Sequence, residues 1–152
     1  MSKRISLKLT DKNKVKNFKE FLNENKTISS KEELLGKKFY HGTTLETWKN
    51  SESDDYLFVV DEFEVAKNHA VYRTESMVSE YNKPFTAIVV EIVINQKIIG
   101  LNWEVDDDLG NWSREPLNYK HWTDSYNNVG SFVIQGKYDI NDFKIVYKET
   151  FK

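Results

Sequence analysis

The run Phe85–Ile94, "FTAIVVEIVI", constrains the fold more than any other stretch. Nine of its ten residues are uncharged, and the apolar ones do not alternate with polar ones. A strand with one face in water would show that alternation, so this run predicts a central strand covered on both faces. A strand of that kind has neighbours on both sides. The Asn82–Pro84 break precedes it.

A helix is predicted by "DDYLFVVDEFEVAKNHAVYR". Tyr56–Val60 reads as a buried strand, and Asp61 with Glu64 has capping-box spacing. Phe63, Ala66, Ala70 and Val71 then fall on one helical face. Upstream, residues 4–9 read as a short strand. Val15, Phe18, Phe21 and Leu22 give a helix from Asp11 to Leu22. "SKEELLG" gives a second short helix, with Ser30 and Glu33 as its capping box and Gly36 as its stop. "KKFYH" predicts a strand ending at His41, and "TTLETWKN" a short helix capped by Thr43 or Thr44. "KIIGL" continues or pairs with the central strand. Residues 102–130 have no clean period, and an irregular stretch of that length is often functional. "SFVIQGKY" and "FKIVYK" predict two closing strands joined by a turn around Asp139–Asp142. The sum is an α+β domain with a mostly antiparallel sheet, a single domain over 1–152 with a helical N-terminal extension (1–36) and a core (37–148).

Composition narrows the chemistry. The 152 residues are 39% hydrophobic and 14% aromatic, enough for a core without staples. Charged residues reach 30% but leave a net charge of −2, which argues against a general nucleic-acid coat protein. Lys3, Arg4, Lys8, Lys12, Lys14, Lys16 and Lys19 make the start locally basic. They read as a solvated helix face, or as contacts to RNA or DNA phosphates. With no Cys, disulfides, thiolate catalysis and Cys-based zinc sites are excluded. Three His argue against a His-rich metal site, and Asp106–Asp108 has no second acidic cluster at matching spacing, so no metal is expected. There is no run long enough to span a membrane and no apolar segment typical of a signal peptide, so a soluble cytoplasmic protein is expected.

Three stretches carry a resemblance. "YHGTT" places His41, Gly42 and Thr43 after Tyr40. "YLFVVDEFEVAKNHA" places Phe58 in a strand and Ala66, His69 and Ala70 in the next helix. "VGSFVIQGKYDINDFKIV" closes the chain. In this order the three resemble the ADP-ribosyltransferases of the group that includes diphtheria toxin and the poly-ADP-ribose polymerases, from about residue 38 to 147. The resemblance implies a split antiparallel β-sheet, here preceded by N-terminal helices, and NAD as co-substrate without a metal. It implies transfer of ADP-ribose to a macromolecular acceptor, protein or nucleic acid, in the manner of a bacterial or phage effector or toxin. His41 would bind a ribose hydroxyl, and Gly42 would let the backbone approach the nicotinamide amide. Thr43 would hold the ribose or cap the following helix, and Tyr56, Phe58 or His69 would stack on the nicotinamide ring. Tyr40 flanks the same element. The family places a Glu at the start of the penultimate strand, where this chain has Ser131, and a Tyr on the helix where it has His69. Glu104, Asp106, Asp107, Asp108 and Glu115 are other carboxylates within reach in sequence.

Two other readings stand beside it. His41-x-Thr43 and His121-x-Thr123 are paired H-x-T tripeptides, similar to those of two-histidine phosphoesterases acting on cyclic nucleotides or RNA ends. On adjacent strands they would aim two His and two Thr at one phosphate. Ser131 instead favours a module that binds NAD or ADP-ribose without transfer. The bland alternatives are a strand-end His41 satisfied by backbone, a Phe58 that is simply core, and a packing His69. Trp103, Trp112 and Trp122 read as a base-stacking surface or as pins for a long loop, and Gln135 as a substrate contact or an edge residue.

Overall fold

The computed structural model describes residues 27–51, 56–106 and 120–152. In them six strands form one sheet: β1 (Lys38–Thr44), β2 (Leu57–Val60), β3 (Phe85–Val93), β4 (Asn102–Glu104), β5 (Ser131–Gln135) and β6 (Lys144–Phe151). Their order is β4-β5-β2-β1-β3-β6, and every neighbouring pair is antiparallel. The helices are α1 (Leu45–Lys49), α2 (Phe63–Tyr81), α3 (Gln96–Ile99) and α4 (Trp122–Val129). The fold is α+β, with the helices few and the sheet antiparallel.

β3 is an interior strand, as its sequence predicts. It pairs with β1 from Lys38↔Val93 to Thr44↔Ala87 and with β6 on its other side. Its two faces feed two cores. Ile88, Val90 and Ile92 join Phe39, Leu57, Val59, Phe132 and Ile134 in the larger cluster. Trp103 lies 4.5 Å from Phe132, ring to ring, and its indole N–H donates to the Ile98 carbonyl at 3.0 Å. On the opposite face Ala87 and Val89 meet Ala66 and Ala70 of α2. The helix buries a seam of small side chains, Ala66, Ala70 and Thr74, which brings its backbone close to the sheet. Asn82, in the left-handed region at φ 53°, ends it before Pro84.

Several expectations change. Phe63 and Val71 do lie against the α2 core, but the cap of α2 is Glu62 with no side-chain bond, not Asp61. The Asp61 backbone N–H instead donates to the Gly130 carbonyl at 2.9 Å, which keeps Asp61 on the sheet. β1 does not end at His41 but continues to Thr44. Thr44, not Thr43, caps α1, accepting from the Thr47 N–H at 3.0 Å. "SKEELLG" makes one 3-10 turn, Lys31–Leu34, with the Glu33 carboxylate accepting from the Ser30 N–H as the capping box predicts. "KIIGL" is α3 followed by a bend, because Asn95 caps it through the Ile98 N–H and Ile98 turns into the core. β2 is not buried on both faces, since Leu57 and Val59 are covered while Phe58 is 37% exposed. Residues 102–130 contain β4 and α4. β5 and β6 are not partners; they lie on opposite sides of the sheet, joined through a 3-10 turn at Ile140–Asp142 that Asp139 caps. The strand at 4–9, the helix at Asp11–Leu22 and the basic N-terminal lysines lie outside the described residues.

Candidate functional site

The site grows from a fault in the ladder. β1 and β3 share seven register pairs, whereas β1 and β2 share one, Tyr40↔Val60. Toward Thr44 and Leu57 the β1–β2 pairing stops. There the Phe58 carbonyl, which a continued register would turn toward β1, is taken by the His41 ring. Its Nδ1 lies 2.7 Å from that oxygen. A carbonyl can only accept, so Nδ1 carries the proton and donates. The imidazole is then the Nδ1–H tautomer, and Nε2 presents a lone pair.

Burial lowers the His41 pKa to about 4, against the Phe58 carbonyl, which favours the charged form. The nearby His69 and Arg73 of α2 lower it further. His41 is therefore neutral at physiological pH. Trp48 of α1 packs beside its ring at 5.6 Å between centroids, and is itself buried in the larger core. The helix that Thr44 caps thus supplies one wall around the imidazole.

Gly42 is buried because α2 crosses it. A Cβ there would overlap the Ala66 carbonyl oxygen and stand 3.2 Å from the Ala70 Cβ. The missing side chain serves helix packing. Tyr40 points to the same face and packs edge-on against Phe63 at 5.7 Å. Thr43 is buried opposite Ile88 of β3. Tyr56, just before β2, is 55% exposed, and Phe58 keeps its ring partly in solvent opposite Val133. His69 lies exposed on α2. Ser131 opens β5 opposite Val60, only 7% exposed, and its Oγ has no hydrogen-bond partner among the described residues. A buried hydroxyl left in that state costs about 1–3 kcal/mol.

Comparison with family models, with curated proteins and with solved structures finds no match for this chain.

Other candidates fall away from the gap. His121 is not on a strand but caps α4, and its Nδ1 lies 2.8 Å from Thr123 Oγ1. The two H-x-T tripeptides therefore do not line adjacent strands, and the second pair bonds internally. Trp103 and Trp122 are buried core residues rather than a stacking surface; Trp112 lies outside the described residues. Glu104 sits on the short edge strand, accepting from the Asn102 amide. Gln135 ends the interior strand β5, opposite Asn102 of the edge strand β4. Asp106 is half-buried; Asp107, Asp108 and Glu115 lie outside the described residues. Asp61, for which the sequence suggests only a capping role, is a half-buried carboxyl whose pKa burial raises. It lies over Gly130, where a Cβ would stand 2.5 Å from its Oδ1. Burial and Asp61 together push Tyr126 up to about 12.

Sequence reasoning also misses Trp48 and Arg73. Arg73 follows His69 by four residues, one helical turn, and that spacing is the signal that could have found it.

Proposed function

We propose that the gap between β1 and β2 is the nucleotide site of a divergent NAD-dependent ADP-ribosyltransferase with a split antiparallel sheet. The observation that carries the reading is the His41 bridge. A neutral imidazole fixed by the Phe58 carbonyl offers Nε2 as an acceptor to a ribose hydroxyl, the role the resemblance gives to His41. The ring cannot rotate without losing that bond, and burial keeps Nε2 unprotonated, so the acceptor is preorganised. Supporting it are the single pair Tyr40↔Val60, the partly exposed Phe58 of β2, the exposed His69 of α2, and Ser131 at the head of the penultimate strand, whose hydroxyl has no partner among the described residues.

The chemistry follows from the bond broken. The ribose C1′–nicotinamide N bond cleaves, and nicotinamide leaves with the electron pair. An oxocarbenium-like ribose accepts an acceptor oxygen or nitrogen, which gives up its proton. Residues that hold the ribose and the ring supply orientation. Ser131 supplies no negative charge to the oxocarbenium, so turnover is slow relative to a site with a carboxylate there. The acceptor is a protein or a nucleic acid.

The test is transfer of label from adenylate-labelled NAD into a lysate, with His41→Ala as control and protease and nuclease digestion to follow. Label that depends on His41 establishes transfer, and the digestion identifies the acceptor. NAD binding by calorimetry without label makes the protein a silent reader of NAD. Absence of both label and binding removes the nucleotide reading.

A further inference from the structure

α2 lies over β1 and β3, and the edge strand β6 runs beside it on the same face of the sheet. Tyr147 and Phe151 of β6 stand opposite Val89 and Phe85, and both pack toward α2. Tyr147 meets Phe63 edge-on at 6.4 Å, and Lys67 Nζ stands 5.0 Å from its ring. About five turns along α2, on the same flank as Phe63, Tyr81 is 57% exposed. Its ring lies 5.9 Å from that of Phe85, over which Lys83 Nζ stands at 5.4 Å. A tyrosine beside a lysine thus marks each end of one strip. The strand along it, Lys144–Phe151, spans about 23 Å.

The charge along the strip is positive. Lys144 stands opposite Glu91 of β3, and Lys38 offsets that carboxylate at 3.7 Å. Lys67, Lys83 and Lys144 have no carboxylate within ion-pair distance among the described residues. Glu149, opposite Ala87, brings a negative charge to this face of β6, and it accepts from the Tyr147 hydroxyl.

We propose that this strip binds single-stranded nucleic acid, with a base stacked on Tyr81 and backbone phosphates on Lys67, Lys83 and Lys144. An exposed ring accepts the face of any base, and lysine ammoniums neutralise phosphates without reading sequence. A duplex keeps its bases stacked on one another and leaves Tyr81 without a partner. An acidic polypeptide matches the lysines but not the ring. The strip lies across β1 from the gap, and the probes contain no NAD, so the test is independent of the NAD reading.

Fluorescence anisotropy is read over a salt series with labelled single strands of deoxythymidine and of uridine, and with a DNA duplex. The proteins are the wild type, Tyr81→Ala, Tyr81→Phe, Glu149→Gln and the double variant Lys67→Gln with Lys144→Gln. The substituted side chains are exposed or half-exposed, so matched thermal melts are expected. The wild type is expected to bind the single strands more tightly than the duplex. Tyr81→Ala is expected to lose roughly fivefold or more, the low end for one base stack, and Tyr81→Phe to keep its affinity. The double lysine variant is expected to lower the salt slope by about 1.4, or about 0.7 for each phosphate contact. Glu149→Gln is expected to bind more tightly, because it removes a negative charge beside the phosphates. Preference for one of the two strands supports the proposal and names the partner as DNA or RNA. A wild type that binds neither strand overturns it. So does duplex binding as tight as single-strand binding, or unchanged affinity in both Tyr81→Ala and the double lysine variant. Equal competition by polyglutamate also overturns it and marks an acidic polypeptide as the partner.

Discussion

At the scale of single residues, His41 is the group whose state decides the site. Its folded pKa of about 4 lies below the ordinary histidine value near 6.5. Between those values the unfolded chain binds a proton that the folded chain refuses, so stability falls as pH drops through that window. The contribution is complete above pH 6.5 and lost progressively toward pH 4. Because the residue keeps some solvent contact, the stability at stake is at most about 3 kcal/mol, the full shift converted at 1.36 kcal/mol per unit. Denaturant melts of the wild type and His41→Asn between pH 4 and 7 measure it. The wild type is expected to lose more stability than the variant across the window, and the His41 ring resonances are expected to stay neutral down to about pH 4.5. Equal pH dependence in the two proteins would place the imidazole in ordinary solvent. That His41 sits on a strand is legible in the sequence, because "KKFYH" reads as one. Its mechanism is not, since the Phe58 carbonyl that fixes its tautomer is 17 residues away and belongs to a broken ladder.

At the scale of elements, the contact between α2 and β1 depends on Gly42. The helix reaches the strand because Ala66 and Ala70 are small and Gly42 has no Cβ. Gly42→Ala is expected to destabilise the fold by about 3 kcal/mol, at the upper end of overpacking costs, because the obstacle is a backbone carbonyl that cannot rotate aside. Equilibrium unfolding measures this; a loss under about 0.5 kcal/mol would mean that α2 shifts freely on the sheet. The pattern of α2 is readable because small and apolar residues recur at helical spacing. Its cap is not, since "DEFE" fits a capping box but Asp61 is held by the Gly130 carbonyl, a partner no local pattern reveals. α3 reads as strand for a related reason: four apolar and polar residues have too short a period to separate helix from strand, and Asn95 decides. The strand expected for His121-x-Thr123 fails on the same ground, because a His followed by Thr and Asp serves equally well as a helix cap.

At the scale of the whole molecule, the sheet is strong on one side of β1 and weak on the other. β3 is paired along its length with both β1 and β6, and Ile88, Val89 and Val90 are fully buried. β2 is tied to β5 by four register pairs but to β1 by one. Two ladders, β4-β5-β2 and β1-β3-β6, therefore meet at a narrow seam that includes Tyr40, Val60 and the His41–Phe58 bridge. The central strand and the antiparallel class are legible in the sequence because burial on both faces leaves an unbroken apolar run. The seam is not, since nothing in the composition of β1 or β2 records that their pairing ends after a single residue. Local opening follows the weakest hydrogen-bonded boundary, so the seam is expected to open at lower free energy than either ladder. Amide hydrogen exchange should show slowest exchange in β3 and faster exchange at Gly42 and Phe58. A ligand held between the two ladders links them, so NAD at saturating concentration should slow exchange at the seam residues and leave β3 unchanged. Protection that spreads evenly over the sheet would mean the ligand binds elsewhere.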